Sequence, residues 1–519
     1  MPPDGFKRDL GLLDLTMIGF GAIFGSGWLF AAAHVADIAG PASLISWVIG
    51  GVAVLLIGLI YCELGAALPL TGGVVRYPEQ SHGAIAGFLM GLITTIAFSS
   101  LIAIEIVAAR QYAGAWIGGL TRDAAGDPTI AGWCAQATLL AVLFWINWRG
   151  IATFARVNTL MTIFKFCVPA MVVVMLLAHL HGSNFTAHGF APQGAAGVQS
   201  AVATGGIIFA YLGLTPILSV ASEVRHPQRT IPIALIASVG LSSIVYVLLQ
   251  AAFIGALPMT FLAGGWTDIG TRLPLPFHNI AMALGLGTLA TFVVADAMLS
   301  PAGTGNIYMS ATPRVIYAWT RNGTFFSAFA RVNPRTGVPN GALLLTFGLA
   351  LFWTLPFPSW QALISVVSSA LMLSYAFAPI CAVALRRNRP DMERPFRVIG
   401  FTLLSPLAFA IATLIVLWTG WSTLRWLLPM LLGLSTIMLA LRFRRDGRVT
   451  LRHDLRHTGW IFVYFTGLMV LSRAGPFGGQ NHLSTASVDL ATILFAVVIH
   501  EWAGRCHLPP ATHHAGSTP

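Results

Sequence analysis

Of 519 residues, 56% are hydrophobic and only 9% are charged, which excludes an ordinary water-soluble domain, where charge runs at about 25%. A formal charge of +11 and a pI near 10.0 would suit a nucleic-acid binder, but the basic residues stand in short clusters between apolar runs. That placement is the one expected where Lys and Arg hold loops on the cytoplasmic side of a membrane.

The first eleven residues, MPPDGFKRDLG, are too polar for a cleaved leader and read as a cytoplasmic tail. Apolar runs long enough to cross a bilayer, which takes about 20 helical residues, then recur almost to the C-terminus. The pattern predicts fourteen spans, the first five at 12–34, 44–68, 83–109, 131–146 and 157–180. A second group of five follows at 199–221, 232–257, 278–309, 342–355 and 361–385. A basic cytoplasmic loop at 386–400 leads to four additional spans at 401–421, 426–441, 460–471 and 490–502, the last two short. A ten-helix core is therefore expected over 12–385 and the additional helices over 401–502. The polar segment 503–519 reads as a disordered cytoplasmic tail.

With a cytoplasmic N-terminus, twenty-three of the twenty-nine Lys and Arg fall inside, five fall outside, and Lys165 lies within a span. The outside set is Arg110, Arg122, Arg272, Arg425 and Arg473. Cys62, Cys134, Cys167, Cys381 and Cys506 are odd in number and widely spaced, so neither a disulfide framework nor a metal site is indicated; they read as buried free thiols. No HExxH, phosphate-binding glycine loop or GxSxG turn argues for an enzyme, and no cofactor is expected.

The first span holds GFGAIFGSGWLF, with Gly19, Gly21, Gly25 and Gly27 beside Ser26, and the sixth holds Gly205, Gly206, Gly213 and Pro216. Paired interruptions at matching positions of two halves point to a transporter binding site. Unwound backbone at membrane depth is tolerated only where it is buried or lines a cavity. The N–H groups of Gly25, Ser26 and Gly27 would then face a carboxylate, and freed carbonyls near Ile23 and Phe209 an ammonium, the two charges of an α-amino acid. The alternative is that these glycines only allow close helix packing. Candidate substrate contacts are Ile23, Gly25, Ser26, Gly27, Phe209, Ala210 and Leu212.

The strings AGPASLISWVIGG and YCELGAALPLTGGVVRYP (39–78), FAYLGLTPILSVASEVRHPQRTIPIA (209–234), INWRGIATFARVNTLMTIFKF (146–166) and RRNRPDMERPFR (386–397) resemble, in order, motifs of the amino acid-polyamine-organocation (APC) superfamily of permeases. The resemblance implies an all-α polytopic membrane protein with a LeuT-like fold: two inverted five-helix repeats, broken helices 1 and 6, substrate between them, and Phe209 closing over it. It also implies secondary transport of an amino acid across the plasma membrane (the inner membrane in bacteria). SPAGTGNIYMSATPRVIYA (300–318) and the extra C-terminal spans resemble the aspartate:proton symporter branch, which points to an acidic amino acid and a proton. Exchange without a proton, a substrate sensor and a membrane-embedded enzyme are the alternatives.

Lys165 is one of two lysines, and an intramembrane lysine is functional unless it snorkels to the headgroups. By resemblance it stands in for a coupling cation. Glu105, Asp296 and Thr304 are the other proton-coupling candidates, the two acids being either relays or structural. Thr304, Gly305 and Asn306 either complete the Lys165 site or pack helices. Arg110, five residues from Glu105, is outside helix-neighbour spacing. Glu63, Glu223 and the 386–397 arginines are expected to form cytoplasmic anchors, and Trp148, Trp319, Trp421 and Trp426 interfacial ones.

Overall fold

The computed structural model describes residues 10–70, 72–123, 125–150, 165–211, 213–219 and 224–509. They form helices joined by short connections, with two isolated β-bridges, Leu10 to Val224 and Thr121 to Pro128. The principal helices are α1 (Leu12–Ile23), α2 (Gly27–Ala39), α3 (Ser43–Ala67), α4 (Gly73–His82), α5 (Ala84–Ala113), α6 (Ile130–Trp148) and α7 (Lys165–Leu177). There follow α8 (Gly194–Thr204), α9 (Ile207–Ala210), α10 (Leu214–Ser219), α11 (Pro227–Ala256), α12 (Gly287–Arg321), α13 (Asn340–Trp353) and α14 (Trp360–Asn388). The C-terminal set is α15 (Phe401–Trp418), α16 (Trp421–Ala474) and α17 (Thr485–Arg505).

Among the described residues eight helices are long and apolar enough to cross a membrane, or nine when α8 and the segment Ile207–Leu218, bent by 40°, count as one. The protein is thus a multi-pass membrane protein. Other expected spans fall on shorter helices (α1, α7, α13), on the polar α12, or on the long α16. Hydropathy underestimates the last spans. The two segments expected at 426–441 and 460–471 fall on two helices that meet at a non-helical kink at Gly447 (φ 83°) within α16, and the last helix has 21 residues. Arg442 and Asp454, 2.7 Å apart, form an ion pair across that kink.

Two helices form the centre. The most apolar window of α14 is wholly buried and that of α5 is 94% buried, against 33% for α6 and α17, whose outer faces carry Ile130, Leu494 and Val498. Such exposed aliphatic surface is stable only against lipid. Along α12 the polar side chains Asp296, Ser300, Thr304, Asn306 and Thr312 are all buried, so this helix faces protein. Its far end packs tightly on α5: Trp319 lies on Gly91 and stacks on Phe325 at 4.1 Å. Trp319 is therefore a packing residue with 4% exposure, not the interfacial anchor its position suggested, whereas Trp148 is exposed.

All five cysteines are free. Cys62 and Cys381 are buried as expected, but Cys134 and Cys167 are exposed because they point outward from helices with one lipid-facing side. Glu223 lies outside the described residues. Glu63 is the hub of the expected arginine cluster. Its carboxylate accepts from Arg386 Nε and Nη2 (2.7 and 2.6 Å) and from the Val398 amide (2.8 Å), with Arg394 Nε 3.8 Å away. The Arg386 guanidinium also lies 3.6 Å from the Phe401 ring centroid, which ties the core to α15.

Removing one partner of a buried ion cluster leaves the others desolvated and unpaired, at a cost of about 3 kcal/mol. Glu63→Ala should therefore lower the thermal unfolding midpoint in detergent by several degrees, while Arg505→Ala, whose side chain is 73% exposed, should not. Equal midpoints for the two variants would show that the Glu63 cluster contributes nothing.

Candidate functional site

The chain leaves helical geometry between α1 and α2 over Phe24–Ser26, and again at Gly205 and Gly206 before α9. Gly206 adopts φ 100°, a conformation that residues with a Cβ rarely hold, so glycine is required there. The two interruptions touch: a Cβ on Gly27 would stand 2.8 Å from Ala210 Cβ and 2.9 Å from Ala210 Cα. A break in each helix frees backbone groups that lipid cannot satisfy, and neighbouring side chains take them up.

Lys165, 1% exposed, donates from Nζ to the Gly21 carbonyl at 2.6 Å and to Thr304 Oγ1 at 2.7 Å. It does not snorkel to a headgroup; its ammonium lies against the end of α1. Thr304 Oγ1 lies 3.3 and 3.2 Å from the Gly21 and Phe24 carbonyls, and Ser300 Oγ donates to Phe24 O at 3.0 Å. Asn306 is turned away and accepts from Asn147 Nδ2 at 2.7 Å, so of the expected trio Thr304 joins Lys165 while Asn306 joins α6.

The expectation that free N–H groups await a carboxylate is met by one from the protein itself. Ser26 N–H donates to Glu105 Oε2 at 2.8 Å, and a Cβ on Gly25 would collide with the Glu105 carboxylate. The Gly25 amide turns back to Ile23 O at 3.0 Å. Glu105 is 1% exposed. Asp296 is fully buried within reach of the Lys165 charge, and neither of its oxygens has a hydrogen-bond partner among the described residues. Arg110 makes no contact with Glu105. It donates to Thr121 Oγ1 and to the carbonyls of Gly126 and Pro358, which closes the connection after α5.

Several residues not singled out from sequence hold the same breaks or the helix α2 that follows the first of them. The Tyr246 hydroxyl lies 3.0 Å from both the Ile23 and the Ala210 carbonyl, and so bridges the two interrupted helices. Gln250 donates from Nε2 to Ala32 O at 3.1 Å and accepts from Trp47 Nε1 at 2.9 Å. Tyr112 OH donates to Leu29 O at 3.2 Å. Trp360, at the start of α14, donates from Nε1 to Ser26 Oγ at 2.9 Å and sets its ring edge-on to Phe209, centroids 5.9 Å apart. Phe30 and His34 stack on Trp360 at 5.1 and 5.5 Å, so these rings roof the breaks on one side. Beyond them lies a narrow cavity lined by Ala33, Gln111, Leu273, Pro276 and Gln361. Only a run of Tyr, Trp and Gln inside otherwise apolar helices could have signalled these residues. Ile23, Gly25, Ser26, Gly27, Phe209 and Ala210 are all brought together; Leu212 lies outside the described residues.

A sequence model of the amino acid permease family matches residues 10–439. The aspartate-proton symporter of Bacillus subtilis (strain 168) is 47% identical over 508 residues, covering 98% of both chains. The glutamate/serine transporter AimA of the same organism is 36% identical over 510 residues, 96% of this chain and 93% of its own. Its branched-chain amino acid permease BcaP is 25% identical over 441 residues, 82% and 92% of the two chains. A helical chain with two abutting interrupted helices, matched over residues 10–439 by the family and over nearly its whole length by transporters, is a member of the amino acid permease family within the APC superfamily, a transporter with the LeuT-like fold and not an enzyme.

Proposed function

We propose that this permease imports an acidic amino acid, aspartate foremost, together with a proton, and that its substrate lies between the two interrupted helices. The observation that carries this reading is the Ser26 amide: a proton-binding carboxylate, Glu105, already occupies the donor that a substrate carboxylate needs. Two carboxylates at one N–H repel, so substrate binds there only when Glu105 has taken a proton and released the amide. Binding of one promotes binding of the other, which is thermodynamic coupling between proton and substrate.

Lys165 completes the device. Its ammonium holds Gly21 O and Thr304 by charge-assisted hydrogen bonds, so its hold on the end of α1 weakens when it loses its proton. Two carboxylates, Glu105 and Asp296, share this one cation in a dry interior, and an unpaired charge there costs several kcal/mol. One acid of the trio thus carries a proton when the site closes. Glu105 is assigned the coupling proton because it alone touches the Ser26 amide, and Asp296 supplies the second carboxylate. Ile23, Gly25, Ser26, Gly27, Ala210 and Leu212 surround the substrate backbone, with Phe209 under Trp360 as its cover. The relatives named for aspartate and for glutamate and serine support an acidic side chain. Fourteen crossings, counted from the apolar runs, put both termini on one side, and the Lys and Arg asymmetry makes that side the cytoplasm.

In proteoliposomes the purified protein should accumulate labelled aspartate when the outside is acid and lose that accumulation on addition of a protonophore. Accumulation that ignores the pH gradient and requires amino acid inside the vesicle would replace symport with exchange.

Gly25→Leu pushes a side chain into the Glu105 carboxylate and is expected to abolish uptake in protein that still reaches the membrane and elutes as a folded species. Normal uptake by this variant would remove the site from between α1 and α2.

Glu105→Gln and Lys165→Ala should each retain counterflow exchange and lose gradient-driven accumulation by about tenfold or more, a coupling free energy of about 1.4 kcal/mol. Asp296→Asn should slow transport without uncoupling it. If Asp296→Asn uncouples and Glu105→Gln does not, the two assignments are reversed.

A further inference from the structure

The C-terminal helix α17 takes no part in the site described above, yet it sends a carboxylate to the helix that leads into the second interruption. Asp489, in the second turn of α17, accepts from Gln199 Nε2 through Oδ2 at 2.6 Å and from Trp418 Nε1 through Oδ1 at 2.9 Å. Gln199 stands in the middle of α8, the outer arm of the second interrupted helix, which runs to Thr204 and then breaks at Gly205 and Gly206 ahead of Phe209. Trp418 closes α15. One carboxylate therefore links three helices, two of them beyond the ten-helix core expected over 12–385.

An acid near a helix start can serve merely to offset the helix dipole, but that role asks for no partner on another helix. Here both oxygens of the half-buried carboxylate are spent on side chains of other helices. Gln199 is in turn oriented by Asp489: its own Oε1 has no hydrogen-bond partner among the described residues, so the amide is held through Nε2. The rest of α8, GAAGVQSAVAT, carries few anchors. The other side-chain bond that reaches it from a neighbouring helix is Ser46 Oγ to Val198 O at 2.9 Å. An arm of small residues that ends at a left-handed glycine is thus held by one part-buried side-chain hydrogen bond on each side.

We propose that Asp489 is a positioning residue for the outer arm α8: through Gln199 it holds the arm against α2 in the closed position and thereby sets how often the substrate chamber opens to the outside. The proposal rests on the reading above, in which substrate lies between the two interrupted helices, and it adds that α8, the arm that leads into the second interruption, moves when the chamber opens. It gives the C-terminal helix α17 a task in the transport cycle, since α17 carries the oxygen that the arm must leave in order to open. Breaking the link shifts the population toward the outward-open form; it does not alter the chamber itself.

The test uses full-length protein in proteoliposomes, with the exposed Cys134 and Cys167 replaced by Ser and with Gln361→Cys as the reporter. Gln361 lines the narrow cavity above Trp360. A membrane-impermeant maleimide measures how often that cavity opens. Asp489→Ala and Gln199→Ala, which lie on different helices, should each raise the labelling rate by about fivefold. Each should also lower KM for external aspartate while reducing the maximal rate, and the double variant should match the single ones because both break one link. Asp489→Asn, which keeps one acceptor oxygen, should fall between. If Asp489 only supports α17, Asp489→Ala lowers the thermal midpoint and Gln199→Ala leaves labelling and KM unchanged, and the proposal is overturned. Should labelling rise in both variants while aspartate proves not to be carried, the positioning role stands and the substrate assignment falls.

Discussion

Backbone groups released inside a low-dielectric interior must find partners, and the whole centre of this permease is arranged around that requirement. The interruption between α1 and α2 exposes the carbonyls of Gly21, Ile23 and Phe24 and the amide of Ser26. Lys165 and Thr304 take the first, Tyr246 the second, Ser300 and Thr304 the third, and Glu105 the amide. The partners arrive from four other helices, α5, α7, α11 and α12, so a local defect in one helix organises four others.

The same economy explains why titratable groups stand where they do. A hydroxyl or an amide would satisfy Gly21 O and Ser26 N–H equally well as geometry, but a lysine and a glutamate make the strength of both bonds depend on a proton. In the proposed mechanism, structural satisfaction and energetic coupling then reside in the same atoms. Asp296 differs from these two because it is buried without a hydrogen-bond partner among the described residues, so its contribution is electrostatic. Tyr246, which touches both interruptions with one hydroxyl, gives the two halves a common link that carries no charge.

Outside the centre, charge is used for fastening. Glu63 binds Arg386 and the Val398 amide and lies within ion-pair distance of Arg394, and Asp489 binds α8 and α15 to α17. The additional helices are therefore attached to the core at both faces, through a bidentate arginine pair on one and neutral donors on the other. A bidentate pair is rigid, whereas a neutral amide is released at lower cost, which suits the first to a fixed joint and the second to a part that moves.

Much of this was written in the chain before it folded. The membrane setting, the two interrupted helices, the scarcity of lysine and the anchoring role of Glu63 all follow from residue type and spacing, because a bilayer punishes charge and broken backbone wherever they lack a purpose. Sequence also named Gly25, Ser26 and Phe209 as substrate contacts and Lys165 and Glu105 as proton-coupling candidates, yet it could not pair them. That the Ser26 amide goes to Glu105, that Asn306 turns to Asn147, that Trp319 is packed inside, that Tyr246 and Trp360 complete the breaks and that Gln250 ties down α2 are decided by helix rotation and approach. Hydropathy reports whether a segment belongs in lipid but not which face of it meets which neighbour; only the packed bundle, where residues 79 to 334 positions apart come within hydrogen-bond distance, settles that.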